Sequence, residues 1–259
     1  AEAVRPEACW LCGHCVAVCP VDAVHHSEYP LDACPTIDRD ALPSFEDLVG
    51  ALRARRSIRV FRDKPVPRDT VRQLVDVSRW APSASNQQPI DWIALDDPDR
   101  IARLRDAVVC TLDRTAQLLQ IRLLRPFLSI ALGPHRIDEA VEAAESFEEL
   151  ARRHAEGKDP IFYGAPVVLA AHVPVEAFFG RDDTVYAAYN VMLAAERLGL
   201  GTCQIGYVNA ALERNDDLPG IIGVPEGRKL ELTIALGYPR FTFHRAPSRR
   251  ERTLDWNPS

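Results

Sequence analysis

Residues Cys9 to Pro20 read CWLCGHCVAVCP, four cysteines at spacings x2, x2 and x3 with proline directly after the last. A disulfide framework spreads its cysteines along a chain, whereas four of the seven here fall within eleven residues, so the clustering points to metal. Zinc favours two CxxC pairs held well apart; a cubane iron–sulfur cluster needs several thiolates converging on one small inorganic core. A chain looping through Cys9, Cys12 and Cys15 can wrap three corners of such a cluster, and Cys19-Pro20 then turns it away. Residues 1–40, rich in Cys, Pro and His, are too few to fold on apolar burial alone and read as a metal-held module. His14, His25 and His26 read as polar surface residues of that module rather than ligands.

A chain of 259 residues is far longer than a small electron carrier, so electrons entering such a module need somewhere to go. With 47% apolar and 26% charged residues it has the composition of a globular protein with a sizeable core. A net charge of −6 argues against a general nucleic-acid binder. No apolar run approaches the ~20 residues that span a bilayer, and no charged-then-apolar leader opens the sequence, so no membrane partner and a cytoplasmic location are expected. The sequence opens at Ala1 and its single methionine is Met192, which leaves room for residues upstream.

Beyond the module, 38–44 form a linker, and Ser44 with Asp47 makes a capping-box opening for a helix over FEDLVGALRARR, with Leu48, Val49 and Leu52 on one face. A second helix is expected from Pro67 to Trp80, on Val71, Leu74, Val75 and Ser78. Further helices are expected over 99–125, over 137–157 as an acidic exposed one, and over 184–201, ending at glycine. Strands are expected over 89–97, 165–173, TCQIGYV (202–208) and KLELTIALGYP (229–239). Widely separated strands among more numerous helices indicate an α+β layered fold. Tyr186, Tyr189 and Trp92 read as core, and Cys110 and Cys203 as small buried apolar residues.

No G-x-G-x-x-G occurs, and GVPEGRK (223–229) has the wrong glycine spacing for a P-loop. RRSIRVF (55–61) offers Arg55, Arg56, Arg59 and the Ser57 hydroxyl, enough to surround one phosphate with charge-assisted hydrogen bonds. Arginines ending a helix also suit its dipole, and alone that reading prevails. APSASNQQP (81–89), however, packs hydroxyls and amides between prolines more densely than turn chemistry requires. A heteroaromatic ring with alternating donors and acceptors would account for the excess.

RRSIRVF, APSASNQQP, LGLGTCQIGYV (198–208) and LGYPRFTFHRAPSRR (236–250), in that order, resemble the nitroreductase family of FMN enzymes, and among them the branch carrying an N-terminal 4Fe-4S ferredoxin-type domain. The resemblance covers essentially the whole chain. It implies an α+β fold with a central mixed sheet flanked by helices, in an intertwined homodimer with FMN at the subunit interface. Residues 1–40 would be the cluster module and 45–259 the FMN domain. Arg55, Arg56, Ser57 and Arg59 would hold the FMN phosphate and ribityl chain. Pro82, Ser83, Ala84 and Ser85 would approach the flavin ring from the other subunit, with Asn86 and Gln88 just beyond. Ile205 and Gly206 would lie near the N5 edge, and Arg249, with Arg245 or Arg250 behind it, would make a C-terminal phosphate contact.

VRPEACWLCGHCVAVCPVDAV resembles the second half of a two-cluster ferredoxin domain, without its first half. Cys9, Cys12, Cys15 and Cys19 are the expected ligands; the fourth corner is open between Cys19, Cys34 and a residue upstream of Ala1. The resemblance implies an FMN-dependent oxidoreductase in which the cluster relays electrons to FMN, with NAD(P)H or a reduced ferredoxin as donor and a nitroaromatic, quinone or activated alkene as substrate. The alternative is a non-enzymatic flavin and iron–sulfur redox-sensing or electron-transfer protein. No acid–base side chain stands out as catalytic, and 110–165 is the expected source of the pocket over the flavin.

Overall fold

The computed structural model describes residues 6–121 and 134–256. Alternating side chains of two long strands, β2 (Val167–Pro174) and β4 (Arg228–Gly237), are buried on both faces, which is why both read as nearly unbroken apolar runs. They form the middle of a four-stranded sheet in the order β1-β2-β4-β3, completed by β1 (Asp91–Leu95) and β3 (Gly201–Gln204). All three ladders are antiparallel. The parallel component of the expected mixed sheet is a single bridge among the described residues, Ser57 to Thr202.

One face, with Val167, Leu169, Leu232, Ile234 and Leu236, packs on α3 (Arg68–Val77) and α6 (Gly180–Arg197). The opposite face, with Val168, Ala170 and Ala235, packs on α4 (Pro98–Gln120), α5 (Pro134–Ala155), α7 (Gly206–Leu212) and α8 (Leu218–Ile222). The α+β expectation therefore holds, with helices covering both sides of the sheet. In the first forty residues the one α-helix among the described residues is α1 (His14–Val18).

Several local expectations are met. The box opening α2 (Phe45–Ala54) is complete: Ser44 Oγ accepts from Asp47 N at 3.1 Å, and Asp47 Oδ2 accepts from Ser44 N at 3.2 Å. The Ser44 hydroxyl, 2.7 Å from Asp47 Oδ2, and the Ser44 N–H hold the Asp47 carboxyl below its usual range. Helix α6 stops where Gly199 turns left-handed at φ 69.

Other expectations need correcting. Residues 206–208 are not strand but the first turn of α7, because Ile205 N bonds Thr233 O and the chain then leaves the ladder. Helix α5 is not simply exposed: Ala144, Phe147 and Leu150 are buried against α4. Helix α4 ends at Gln120, and residues 122–125 of the expected helix lie outside the described residues. Cys110 is exposed, since it lies on the outer side of α4, whereas Cys203 is buried. Tyr186 and Tyr189 are not core; they stand 55% and 38% exposed on a flank of α6 that the described residues leave uncovered, while Trp92 packs against the core. No residue of α2 is buried, so its apolar face is likewise left uncovered by the described residues.

Candidate functional site

Helix α2 ends at Arg55 because the backbone there turns extended, and residues 55–62 run on beside β3 and the segment that follows β4. Ile58 N donates to Thr202 O at 2.9 Å, Arg62 N to Tyr238 O at 2.8 Å, and Arg240 N to Val60 O at 3.0 Å. These bonds enclose a cavity of about 580 Å³. Arg53, Arg55, Arg56, Arg62 and Arg245 line it with a single carboxylate, Glu196. Of these lining residues, Arg55 and Arg56 have Nε atoms that are buried with no hydrogen-bond partner among the described residues. A buried N–H donor is costly to leave unmade, and the guanidinium fork matches phosphate, so the donor set fits an anionic group.

A second cluster lies on the other side of the same segment. Ser57 and Arg59 lie beside the Cys203 thiol, which donates to Gln204 O at 3.6 Å, and Arg59 also lies beside the Tyr163 hydroxyl. Burial pushes the Cys203 thiol and the Tyr163 phenol up, with the guanidinium of Arg59 pulling both back. Tyr163 holds φ 60, left-handed for a bulky side chain. That turn is built by Asp159, whose carboxylate accepts from the backbone N–H groups of Ile161, Phe162 and Gly164 at 3.1, 2.9 and 3.0 Å. We expect Asp159→Ala, which strands three amide donors, to cost on the order of 1–3 kcal/mol. The checks are a thermal melt and the ring signals of Tyr163, which should shift if the turn relaxes.

The loop 81–89 does not reach the arginine cavity within one chain. It hangs instead between α6 and the cysteine module. Ala84 N donates to Asp183 Oδ1 at 3.0 Å, Gln88 N to Ser83 Oγ at 3.0 Å, and the Asn86 amide to Leu11 O and Tyr29 Oη. In the module, Leu11 N donates to Cys9 Sγ at 3.4 Å and Ala23 N to Cys19 Sγ at 3.1 Å. Backbone N–H groups of Val21, Ala23 and Val24 pull the Cys19 thiol down, favouring the thiolate a metal requires. His26 Nε2 stands 3.7 Å from Cys9 Sγ, while its Nδ1 accepts from Glu28 N. Among the described residues no three His, Cys, Asp or Glu side chains are gathered closely enough for a single metal ion. Wrapped backbone amides aimed at sulfur suit a multi-iron core, whose corners are further apart.

Residues 52–238 match the nitroreductase family model. The chain belongs to the nitroreductase family. Residues 2–25 match a 4Fe-4S binding domain, so an FMN-dependent oxidoreductase domain with a 4Fe-4S segment ahead of it is the architecture of this nitroreductase-family chain. It is 29% identical over 216 residues to the 4-nitrobenzoate reductase of Nocardioides sp. (strain LMS-CY), covering 76% of this chain and 83% of that one. It is 28% identical over 218 residues to an NADH dehydrogenase of Thermus thermophilus, covering 83% and 98%. A nitroreductase of Bacteroides fragilis solved with bound FMN has the same fold, with a TM-score of 0.56 at 20% identity, covering 82% of this chain and 96% of that one.

Within this nitroreductase-family frame the expected site residues separate into groups. Arg55 and Arg56 share the cavity wall with Arg245, whereas Arg249 is in the exposed tail and is not part of that wall. Ser57 and Arg59 turn to Cys203 and Tyr163. Ile205 is buried at the N-cap of α7, and Gly206 opens onto free space. Pro82, Ser83, Ala84, Ser85, Asn86 and Gln88 form the loop facing the module. Sequence reasoning missed Tyr163, Asp159, Asp183 and Tyr29. Asp183, 4% exposed in the first turn of α6, lies one residue ahead of the helix read from the sequence. Part of 110–165, the expected substrate region, lies outside the described residues at 122–133.

Proposed function

We propose that a cluster module (1–40) holding a 4Fe-4S cluster on Cys9, Cys12, Cys15 and Cys19 feeds electrons to an FMN domain (45–259) that reduces a small electrophilic substrate. A nitroaromatic is favoured by the likeness to 4-nitrobenzoate reductase, with a quinone or activated alkene in the same chemical class. The observation that carries the reading is the pair of buried, unpartnered Nε donors of Arg55 and Arg56 in a cavity of five arginines. When bound, FMN exchanges electrons singly with the cluster and in pairs with the substrate. Arg55, Arg56 and Arg245 hold the phosphate end, Ser57 and Arg59 the ribityl chain, and the backbone at Ile205 and Gly206 lies against the ring. Pro82, Ser83, Ala84, Ser85, Asn86 and Gln88 complete the site of a second chain in a homodimer. Two observations support that sharing: the loop and the arginines do not share a cavity within one chain, and α2 and α6 leave apolar faces uncovered.

Electrons come from a reduced ferredoxin-type carrier, because a nicotinamide can reduce FMN directly and needs no cluster. The test begins with an absorption spectrum of anaerobically purified protein and iron, sulfide and zinc quantitation. Flavin bands with about four irons per chain support the reading; zinc in place of iron, or an absence of flavin, sinks it. Cys12→Ser should then abolish reduction driven by the low-potential carrier and leave reduction driven by NAD(P)H intact. Equal loss with both donors would make the cluster structural.

A further inference from the structure

Among the described residues, the hydrogen bonds that tie the cysteine module to the rest of the chain converge on one side chain. Asn86 donates its amide to the carbonyl of Leu11 and, at 3.2 Å, to the hydroxyl of Tyr29, while Tyr29 donates to the same Leu11 carbonyl. Leu11 lies between Cys9 and Cys12, and its own N–H points at Cys9 sulfur. The Tyr29 ring lies over Gly13, on the other side of Cys12, 3.5 Å from where a Cβ would stand. The joint therefore clasps the cysteine loop from both flanks of Cys12.

The far side of the joint is equally fixed. Ser85, Asn86 and Gln88 have φ values of 50, 53 and 46, left-handed for residues with side chains and retained only where the surroundings over-determine them. Buried Asp183 holds the loop at Ala84 N. Arg228 holds its other end, donating to Pro89 O at 2.8 Å while its Nε meets His172 Nδ1 at 2.6 Å. A strained turn pinned at both ends aims the Asn86 amide at the cysteine loop.

We propose that Asn86 and Tyr29 are positioning residues that seat the cluster on the flavin-facing loop, so that docking of the module and the conformation of 84–88 are one equilibrium. The inference deepens the proposed relay and rests on it for its electron-transfer readout, but the joint itself is tested without flavin. Tyr29→Phe removes the donor to Leu11 and the acceptor of Asn86 while keeping the ring over Gly13.

The experiment is amide hydrogen exchange on the full chain with its cluster, followed by stopped-flow reduction with each donor. Tyr29→Phe removes two hydrogen bonds, so exchange should speed about five- to thirtyfold at 11–13 and at 84–88 together. Flavin reduction by a low-potential one-electron donor should slow by a similar factor, with reduction by NAD(P)H unchanged. Faster exchange at 11–13 alone would overturn the coupling, and equal slowing with both donors would make Tyr29 merely structural. If Tyr29→Phe loses iron, Asn86→Asp decides: it places a carboxylate against the Leu11 carbonyl, so unchanged exchange at 11–13 overturns the proposal and faster exchange there supports it. A chain that lacks flavin but shows the paired exchange response would sink the relay and leave the joint standing.

Discussion

The double variant Arg55→Ala, Arg56→Ala should fold and bind FMN about 10²–10⁴-fold more weakly. Each charge-assisted hydrogen bond contributes about 1.5–3 kcal/mol, and two are removed. Folding should survive because among the described residues neither Nε has a partner to lose; the side chains give up one hydrogen bond, Arg56 to the carbonyl of Arg55, and the contact of Arg55 with the Tyr189 ring. Fluorescence titration of FMN into apoprotein gives the affinity directly. Near-wild-type binding would mean that the phosphate sits elsewhere, and the five-arginine cavity would lose its assignment. The single variants Arg245→Ala and Arg249→Ala sharpen the test. Arg245 is at the cavity wall and Arg249 is not, so the first should weaken binding more, whereas the sequence resemblance alone favours the second.

The second large effect should come from a single methyl group. Gly201→Ala would drive Cβ into the Ile58 side chain, 2.9 Å from its Cβ and closer still to its Cγ1, where no flexible side-chain end can yield. Overpacking of this kind costs about 1–3 kcal/mol, and each kcal/mol lowers the melting temperature by about 2–4 °C in a domain of this size. The displacement also acts on function. Ile58 sits between the arginines of the cavity and Arg59, and Ile58 N is bonded to Thr202 O in β3. Pushing Ile58 away from β3 should therefore lower flavin occupancy along with stability. A thermal melt paired with the flavin-to-protein absorbance ratio checks both, and a melt that falls with full flavin retention would separate the packing of β3 from the site.

The parts legible in the sequence are those fixed by local chemistry. The box at Ser44 and Asp47, the glycine stop of α6 and the doubly buried β2 and β4 each announce themselves in a few neighbouring residues. So does the cysteine run, because a thiolate spacing is a local property. What was not legible depends on partners far along the chain. Tyr186 and Tyr189 sit in an apolar helix and look like core, yet their flank of α6 is bare. The strand reading of 206–208 fails because Ile205 leaves the ladder only where Thr233, a residue of another strand, takes its N–H. Asn86 reads as one polar residue of a flavin loop; that its amide enters the cysteine module depends on Tyr29 and Leu11, more than fifty positions away.

The arginine cavity has one further consequence. Its two walls, residues 53–62 and 238–246, are separated by nearly all of the sheet-forming sequence and meet through the Phe61–Pro239 bridge. The cavity therefore comes into being only after β4 has joined the sheet, and long-range closure of this kind is late and slow. If FMN is held there, it can bind only the completed domain and would stabilise the native state by about 2.7 kcal/mol at a hundredfold excess over its dissociation constant. In a cell short of flavin, the same chain would populate its unfolded state more often, and its abundance would rise and fall with the supply of its own cofactor.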